Sequence, residues 1–127
     1  MDDVGAARIL VVDDDAFLRQ LVTGLLRRAG HEVTSASSAE EARTRLLTEP
    51  EPDLVVLDIE LPDLSGLELL AVVGSALTCP VILMSGNDTE SNRAAGAALG
   101  AVDYVVKPFA PRDFAARVQA ALGRASP

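Results

Sequence analysis

The sequence predicts an α/β fold in which a doubly wound parallel sheet carries helices on both faces. Apolar runs alternate with amphipathic or alanine-rich segments of about ten to fifteen residues, which is the pattern of βαβ units. Several runs are continuous in Val, Ile and Leu, as is typical of strands buried on both faces. Four of the runs end on an acid, a hydroxyl or a lysine, and ligands of such sheets bind at the carboxyl ends of the strands.

The apolar runs predict five strands, and a periodic segment after the first run predicts a helix. The predicted strands cover residues 8–12, 31–35, 53–57, 81–84 and 102–106. After the first strand, apolar residues recur at helical spacing, namely Leu18, Leu21, Val22 and Leu25. This first helix is expected to end near Gly30, because glycine commonly follows a helix carboxyl end.

The second and third helices carry recognisable start signals. Ser38 is followed three residues later by Glu41, and Ser65 by Glu68, which is the spacing of a capping box. Glu41 and Arg45 add an ion pair at i,i+4 spacing. Both helices are therefore predicted to begin at these serines.

The fourth and fifth helices differ in how much apolar surface they can bury. The fourth, over residues 89–99, is rich in small residues and is interrupted by Gly96, so it is expected to be the most mobile helix. The fifth begins near Pro111, a residue suited to the first helical position. Its apolar face is formed by Phe114, Val118 and Leu122.

Bulk composition limits the class of protein. The 127 residues predict a single domain over 1–127, with a core over about 8–123 and short tails. A net charge of -8 argues against direct nucleic-acid binding, which depends on Lys and Arg. The sequence holds neither a secretory signal nor the roughly 20 apolar residues of a membrane span, so a cytoplasmic location is expected. Cys79 is the only cysteine and is interpreted as structural.

The polar strand ends form the candidate site. Asp13 and Asp14 follow the first strand, Asp58 the third, Ser85 the fourth and Lys107 the fifth. Each has an ordinary structural explanation when it is taken alone, such as a helix cap, a turn or a solvated charge. Their joint occurrence favours one functional cluster, because a doubly wound sheet brings these strand ends to one edge.

The chemistry of this cluster suits metal binding and phosphoryl transfer. Neighbouring carboxylates repel one another unless a cation compensates them, and Mg²⁺ prefers such oxygen ligands, so Asp13, Asp14 and Asp58 are interpreted as a magnesium site. An ionised aspartate can also attack phosphorus, and Asp58 on the central strand is the preferred acceptor. Lys107 would neutralise charge, and the Ser85 hydroxyl would bond a phosphoryl oxygen.

Four segments carry a family resemblance. They are ILVVDDD at 9–15, LDIELPDLSG at 57–66, MSG at 84–86 and DYVVKPF at 103–109. Together they resemble the receiver domain of two-component response regulators, over nearly the whole chain. The resemblance implies a (βα)₅ flavodoxin-like fold with five parallel strands in the order 2-1-3-4-5.

The resemblance also implies a role for each site residue. Asp58 would be the phosphoacceptor, and Asp13 and Asp14 would be the metal-binding pair. Ser85 would be the switch hydroxyl, Tyr104 the switch aromatic and Lys107 the conserved-type cation. The backbone carbonyl of Glu60 would be a further Mg²⁺ ligand, and the Lys107–Pro108 peptide bond would be cis.

The implied function is a signalling switch rather than a conventional enzyme. A histidine kinase or histidine phosphotransfer protein would phosphorylate Asp58 with Mg²⁺, and the chain would assist its own phosphorylation and dephosphorylation. Ser85 would then move inward and the Tyr104 ring would turn from exposed to buried. This would change the face built from the fourth helix, the fifth strand and the fifth helix, which would bind a protein partner or output domain. Without the family pattern, Tyr104 is an ordinary half-buried strand aromatic.

Three residues attract separate expectations. Glu60 and Asn87 stand two residues after Asp58 and Ser85, and such positions tune the phosphoryl lifetime in receivers; charge arguments do not fix the direction. We hypothesise that Glu60 changes the autodephosphorylation rate; the alternative is a side chain that points into solvent. His31 is expected to be a solvent-exposed loop residue.

Two other classes of protein remain as alternatives. A haloacid-dehalogenase-type phosphohydrolase would use Asp13 as nucleophile and Asp15 as acid/base, but it would carry Thr or Val where this chain has Phe17. A pseudo-receiver would act only as a binding module, against which the complete site argues. The sequence names neither the kinase nor the target, and it does not separate a stand-alone receiver from a domain of a larger regulator.

Overall fold

The computed structural model describes residues 5–125, and it describes side chains as far as residue 123. Five parallel strands form one sheet in the order β2-β1-β3-β4-β5, which confirms the predicted fold class and strand order. The strands are β1 (Arg8–Val12), β2 (Glu32–Ala36), β3 (Leu54–Asp58), β4 (Val81–Ser85) and β5 (Asp103–Val106). The helices are α1 (Ala16–Arg28), α2 (Ala39–Thr48), α3 (Gly66–Val73), α4 (Glu90–Ala98) and α5 (Pro111–Ala125), and a short 3₁₀ turn, Gly74–Ala76, follows α3.

Two hydrophobic cores lie on opposite faces of the sheet. Successive strand residues point to opposite faces, so Ile9 and Val11 join one core while Leu10 and Val12 join the other. Helices α1 and α5 cover the first core with Val22, Leu26, Phe114 and Val118. Helices α2 and α3 cover the second core with Ala39, Ala42, Leu69 and Leu70. The sheet is therefore covered on both sides, as the continuous apolar strands require.

The strand register brings the polar strand ends level with one another. At the carboxyl edge the paired residues are Val12 with Leu57, Asp58 with Met84, and Ser85 with Val106. Asp13 therefore follows β1 next to the end of β3, where Asp58 lies. Lys107 follows β5 directly after the residue that pairs with Ser85. The ladder thus creates the predicted cluster by backbone geometry alone.

The start of α1 assigns one of the three consecutive aspartates to a structural role. The Asp15 carboxylate caps the helix, because its Oδ1 accepts hydrogen bonds from the backbone N–H of Phe17 and Leu18 at 3.0 and 3.2 Å. This cap satisfies two of the amides that begin the helix. Asp13 and Asp14 do not cap the helix, so their carboxylates can contribute to the candidate site.

The predicted capping boxes are present at α3 and modified at α2. Ser65 N–H donates to Glu68 at 3.3 Å while Ser65 Oγ accepts from the helix, which is the predicted box. At α2, Ser38 Oγ accepts from Glu41 N–H at 3.1 Å. The Glu41 carboxylate, however, accepts from the N–H of Ser37 at 2.8 Å instead of closing the box on Ser38.

Helix α1 packs with a slightly different face from the predicted one. Val22 is fully buried, but Leu21 is 39% exposed and Leu26 is buried in its place. Leu18 and Leu25 pack only partly against the core. The i, i+3, i+4 pattern located the helix correctly, and packing against α5 and β2 decided its rotation about its axis.

His31 is buried rather than exposed to solvent. Its exposed fraction is 7%, and its Nδ1 accepts a hydrogen bond from the Ala7 backbone N–H at 3.0 Å. The chain turns at Gly30, which has a φ of 97°, and this turn places His31 beside the start of β1. The expectation of a solvent-exposed loop residue was wrong, because the ring satisfies a buried backbone donor.

Two other expectations can be compared with the fold. The Lys107–Pro108 bond is cis, as the resemblance implied. Cys79 packs against the second core, where burial, together with the charge of Glu51, raises the pKa of its thiol to about 12, in line with a structural role. Over residues 5–125 no helix is long and apolar enough to cross a membrane.

Candidate functional site

The candidate site lies at the carboxyl edge of the central strands. Asp13, Asp58 and Ser85 are almost completely buried there, with exposed fractions of 0, 1 and 0%. Asp14 is exposed at the rim, and Lys107 reaches in from the loop after β5. Buried polar groups need partners. The contacts between these residues therefore define what the site does.

Lys107 joins the two buried aspartates. Its Nζ lies 2.9 Å from Asp58 Oδ2 and 3.1 Å from Asp13 Oδ2. One ammonium group thus faces two buried carboxylates, and Asp14 adds a third acid nearby. The ionised cluster carries excess negative charge, which favours a cationic ligand.

The environment changes the proton affinity of both partners. Burial raises the pKa of Asp58 from 3.8 to about 6; the hydrogen bond and charge of Lys107 oppose this rise, and the charge of Asp13 adds to it. Burial alone would lower the pKa of Lys107, but its hydrogen bond to Asp58 and the charges of Asp58 and Asp13 raise it above 10.5. At neutral pH the site therefore holds an ionised Asp58 beside a protonated lysine.

Three carboxylates are placed to share a metal ion. One oxygen each from Asp13, Asp14 and Asp58 lies within 4.8 Å of the other two. Carboxylate oxygens are hard ligands that suit Mg²⁺, which retains several waters and needs few protein ligands. The residues present therefore fit the predicted cofactor. The Glu60 carbonyl as a further ligand stays a prediction.

The loop after β3 approaches the Asp58 backbone closely at Gly66. A Cβ atom at this position would lie 2.2 Å from the Asp58 carbonyl oxygen, so no other residue type fits without moving the loop. The Gly66 N–H also donates to the Ile59 carbonyl at 2.8 Å. Gly66 therefore fixes the path of the chain next to the predicted acceptor. Its position in the LDIELPDLSG segment was the only signal of this role.

The Glu60 side chain lies across the end of β4. Although the residue is exposed, its carboxylate accepts hydrogen bonds from Ser85 Oγ at 2.7 Å and from Gly86 N–H at 3.0 Å. Asn87 Nδ2 adds a longer contact of 3.4 Å. The Glu60 side chain therefore does not simply point into solvent. Glu60 and Asn87, both predicted to modulate the site, contact each other and Ser85.

Tyr104 is already buried in this structure. Its exposed fraction is 8%, and its hydroxyl donates a hydrogen bond to the Asn87 carbonyl. The Arg93 guanidinium lies over the ring, 4.8 Å from its centroid, and Arg93 is itself held by Asp88. Tyr104 was predicted from the family resemblance, whereas Arg93 was not, because it lies on α4 outside any recognised motif.

The comparisons with known proteins agree with this geometry. Residues 9–119 match the family model of the response regulator receiver domain. A crystal structure of a CheY-like response regulator receiver domain protein from Methanospirillum hungatei JF-1 superposes with a TM-score of 0.90 at 30% identity, covering 95% of this chain and 97% of that one.

Two curated relatives are transcriptional regulatory proteins. The alkaline phosphatase synthesis transcriptional regulatory protein PhoP of Bacillus subtilis (strain 168) is 42% identical over 118 residues, 92% of this chain and 49% of that protein. The phosphate regulon transcriptional regulatory protein PhoB of Pseudomonas aeruginosa is 36% identical over 122 residues, 94% of this chain and 53% of that protein. The chain thus spans about half the length of the curated relatives it matches.

Proposed function

This chain belongs to the response regulator receiver domain family, and we propose that it is a phosphorylation-dependent signalling switch with Asp58 as the phosphoacceptor. The observation that carries the proposal is the contact between Asp58 and Lys107. A buried carboxylate that is ionised at neutral pH and touches a fixed cation has the features of a nucleophile for an anionic substrate.

The proposed reaction transfers a phosphoryl group from a phosphohistidine of a histidine kinase or histidine phosphotransfer protein. An Asp58 carboxylate oxygen attacks phosphorus, the P–N bond breaks, and its electron pair leaves with the imidazole nitrogen, which takes up a proton from solvent. The Lys107 ammonium compensates charge on the group in transit. In later hydrolysis, the oxygen of a water molecule attacks phosphorus, the bond from phosphorus to the Asp58 oxygen breaks, and its electron pair returns to the Asp58 carboxylate as inorganic phosphate leaves. The chain thus takes part in its own modification without turning over an external substrate.

Asp13, Asp14 and Asp58 would hold Mg²⁺ in this reaction. A bound Mg²⁺ ion supplies charge neutralisation for phosphoryl oxygens. Asp13 is held in place for that task, because its Oδ2 contacts Lys107 and its Oδ1 accepts from Asp15 N–H at 2.9 Å. Of the three consecutive aspartates, Asp13 and Asp14 would thus bind the metal, whereas Asp15 caps the helix.

The proposed output surface is the α4-β5-α5 face, on which Tyr104 lies. Beside Tyr104 a cleft of about 210 Å³ is lined by residues that include Arg93, Gly96 and Asp103. Arg117 on α5 forms a 2.7 Å ion pair with Asp103 on β5, and Arg93 on α4 lies over the Tyr104 ring, so side chains connect the three elements. A protein partner or output domain bound to this face would contact the surface around Tyr104.

The phosphohydrolase alternative requires Asp15 to act as a general acid or base beside Asp13. Asp15 instead caps α1, because its Oδ1 accepts hydrogen bonds from two backbone amides and so holds the carboxylate at the start of the helix. The pseudo-receiver alternative requires an incomplete acceptor site. The acids, hydroxyl and lysine expected of a working receiver all stand at the predicted edge, which favours the phosphorylated switch.

The test is labelling with a radioactive small acyl phosphate in the presence of Mg²⁺. Wild type and Asp113→Asn, which changes an exposed acid on α5, should acquire label, and Asp58→Asn should not. The bond should be alkali-labile, as expected of an acyl phosphate. Labelling that persists in Asp58→Asn but disappears in Asp13→Asn would instead support the phosphohydrolase chemistry.

A further inference from the structure

We propose that the Glu60 carboxylate is an internal anion that occupies the hydrogen-bond donors of the phosphoryl site and holds the switch in its buried-tyrosine arrangement before phosphorylation. The two donors are Ser85 Oγ and Gly86 N–H, called the donor pair below. The inference rests on the proposed function, since it is Asp58 phosphorylation that would displace this anion.

The donor pair follows directly from the position of the predicted acceptor. Asp58 is paired with Met84 across the β3–β4 ladder, so Ser85 and Gly86 are the next residues along the neighbouring strand. A phosphoryl group on Asp58 would bring several strong acceptor oxygens to this place. Hydroxyl and backbone N–H donors are the groups that bind such oxygens.

The donor pair cannot serve two anions at once. A serine hydroxyl has one hydrogen to donate, and a backbone amide has one. In this structure the Ser85 hydroxyl is 2.7 Å from Glu60 Oε2 and 3.2 Å from the Asn87 carbonyl, so the shorter contact to Glu60 takes the hydrogen. The Gly86 hydrogen goes to Glu60 Oε1 at 3.0 Å. A phosphoryl group that binds these donors must therefore displace the glutamate.

A chain of hydrogen bonds connects the donor pair to Tyr104. Asn87 N–H donates to Ser85 Oγ at 2.9 Å, and the Asn87 carbonyl accepts from the Tyr104 hydroxyl. Glu60 also contacts the Asn87 side-chain amide at 3.4 Å. The carboxylate of Glu60 thus fixes Ser85, Ser85 fixes the Asn87 backbone, and Asn87 provides the acceptor that keeps the Tyr104 ring buried.

The consequence is a switch whose resting state already resembles its activated one at the tyrosine. If an anion on the donor pair is what positions Asn87, then the internal carboxylate and a phosphoryl group should have the same effect on Tyr104. The Glu60 carboxylate and a phosphoryl group on Asp58 are attached to different residues, but both would accept hydrogen bonds from the donor pair. Removing Glu60 should therefore expose Tyr104 in the unphosphorylated protein only.

The sequence offers a direct probe, because the chain has one tyrosine and no tryptophan. Acrylamide quenching of tyrosine fluorescence then measures the exposure of Tyr104 alone. In EDTA and without a phosphodonor, Glu60→Ala should raise the quenching constant about threefold over wild type, since a hydrogen-bonded anion is lost. Glu40→Ala, which removes an exposed acid from α2, should leave the constant unchanged. Equal constants in Glu60→Ala and wild type would overturn the proposal.

Adding an external anion provides the second arm. Beryllofluoride with Mg²⁺, a phosphoryl analogue for aspartate, should return the quenching constant of Glu60→Ala to the wild-type value while it barely changes that of wild type. A Glu60→Ala protein whose Tyr104 stays exposed with beryllofluoride, while Asp58 still takes label from an acyl phosphate, would contradict the shared-donor argument.

A third variant keeps the test possible if Glu60→Ala does not fold. Labelling of Asp58 distinguishes a failure of this inference from a failure of the proposed function. Circular dichroism checks the fold; if Glu60→Ala is unfolded, Glu60→Gln takes its place, and its neutral amide should give an intermediate quenching constant. A Glu60→Gln constant equal to that of wild type would also count against the anion. Failure of wild type to take label at Asp58 would contradict the proposed function, while the metal-free quenching result would still decide the role of Glu60.

Discussion

The Lys107 ammonium nitrogen lies 2.9 Å from Oδ2 of Asp58, although 49 residues separate them in the chain. Lys107 is the only lysine of the sequence. The contact joins the end of β5 to the end of β3 across the intervening strand β4. It accounts both for the ionised state of Asp58 at neutral pH and for the proposed handling of an anionic group.

Removing this lysine should impair phosphorylation and stability together. In Lys107→Met two buried carboxylates lose their shared cation, and breaking a buried pair typically costs about 3–5 kcal/mol. Label from an acyl phosphate should fall steeply in the folded variant. Lys107→Arg keeps the charge and is the control for folding. Unchanged labelling of Lys107→Met would show that the cation has no part in the transfer.

The raised pKa of Asp58 predicts how stability depends on pH in EDTA. Burial raises this pKa from 3.8 to about 6, so the folded protein binds the proton more tightly than the unfolded chain does. The stabilisation is complete below about pH 3.8 and is lost as the pH rises through about 6. Asp58→Asn should remove the dependence, and its gain over wild type at neutral pH should be roughly 2–3 kcal/mol.

Urea denaturation across this pH range measures the difference between the two proteins. Lys107 stays protonated throughout, because its own pKa is raised, and so it adds no slope. Asp113→Asn, at an exposed position, controls for the loss of one charge. Parallel pH profiles of Asp58→Asn and wild type would mean that the Asp58 carboxyl is not the titrating group.

Magnesium should stabilise the folded chain through the acidic cluster. At ten times its Kd, a ligand of the folded state alone adds about 1.4 kcal/mol, or roughly 4–6 °C in Tm for a domain of this size. Differential scanning calorimetry with Mg²⁺ and with EDTA measures this shift. Asp13→Asn should lose it and Asp113→Asn should keep it. A full shift in Asp13→Asn would exclude that carboxylate as a ligand.

Gly66 should tolerate no side chain. The Cβ atom of Gly66→Ala would meet the Asp58 carbonyl oxygen, so the variant should lose about 2 kcal/mol or more in the free energy of unfolding. Gly123→Ala is the matched control, because its Cβ meets nothing within 4 Å and α5 should gain about 0.5–1 kcal/mol. Similar unfolding midpoints for Gly66→Ala and wild type would show that the loop adapts.

His31 should contribute to stability through one hydrogen bond. His31→Phe keeps an aromatic ring but leaves the Ala7 N–H without its buried acceptor, which should cost about 1–3 kcal/mol. Amide hydrogen exchange of Ala7 gives an independent measure, because that proton should lose its protection. Unaltered exchange at Ala7 in the variant would place its acceptor elsewhere.

The fold and the main site residues were predictable from local sequence features. Continuous apolar runs specify strands buried on both faces, and the polar residues that end them must meet at one edge of a parallel sheet. Asp13, Asp58, Ser85 and Lys107 are therefore found by reading strand ends alone. The capping serines and the small residues of α4 were equally visible, because they act within a few positions of the chain.

Other features depend on contacts between distant positions, and only the tertiary structure decided them. The direction of Glu60 depends on Ser85 and Gly86, which lie 25 and 26 residues away, and the burial of Tyr104 depends on Asn87, 17 residues away. His31 was assigned to solvent because its partner is the backbone of Ala7, which no residue pattern marks. The sequence by itself determined which chemical groups reach the sheet edge, since that follows from strand period and order. Which of those groups hydrogen-bond to one another was decided by the packed loops, since a flexible side chain or a backbone amide carries no periodic signal.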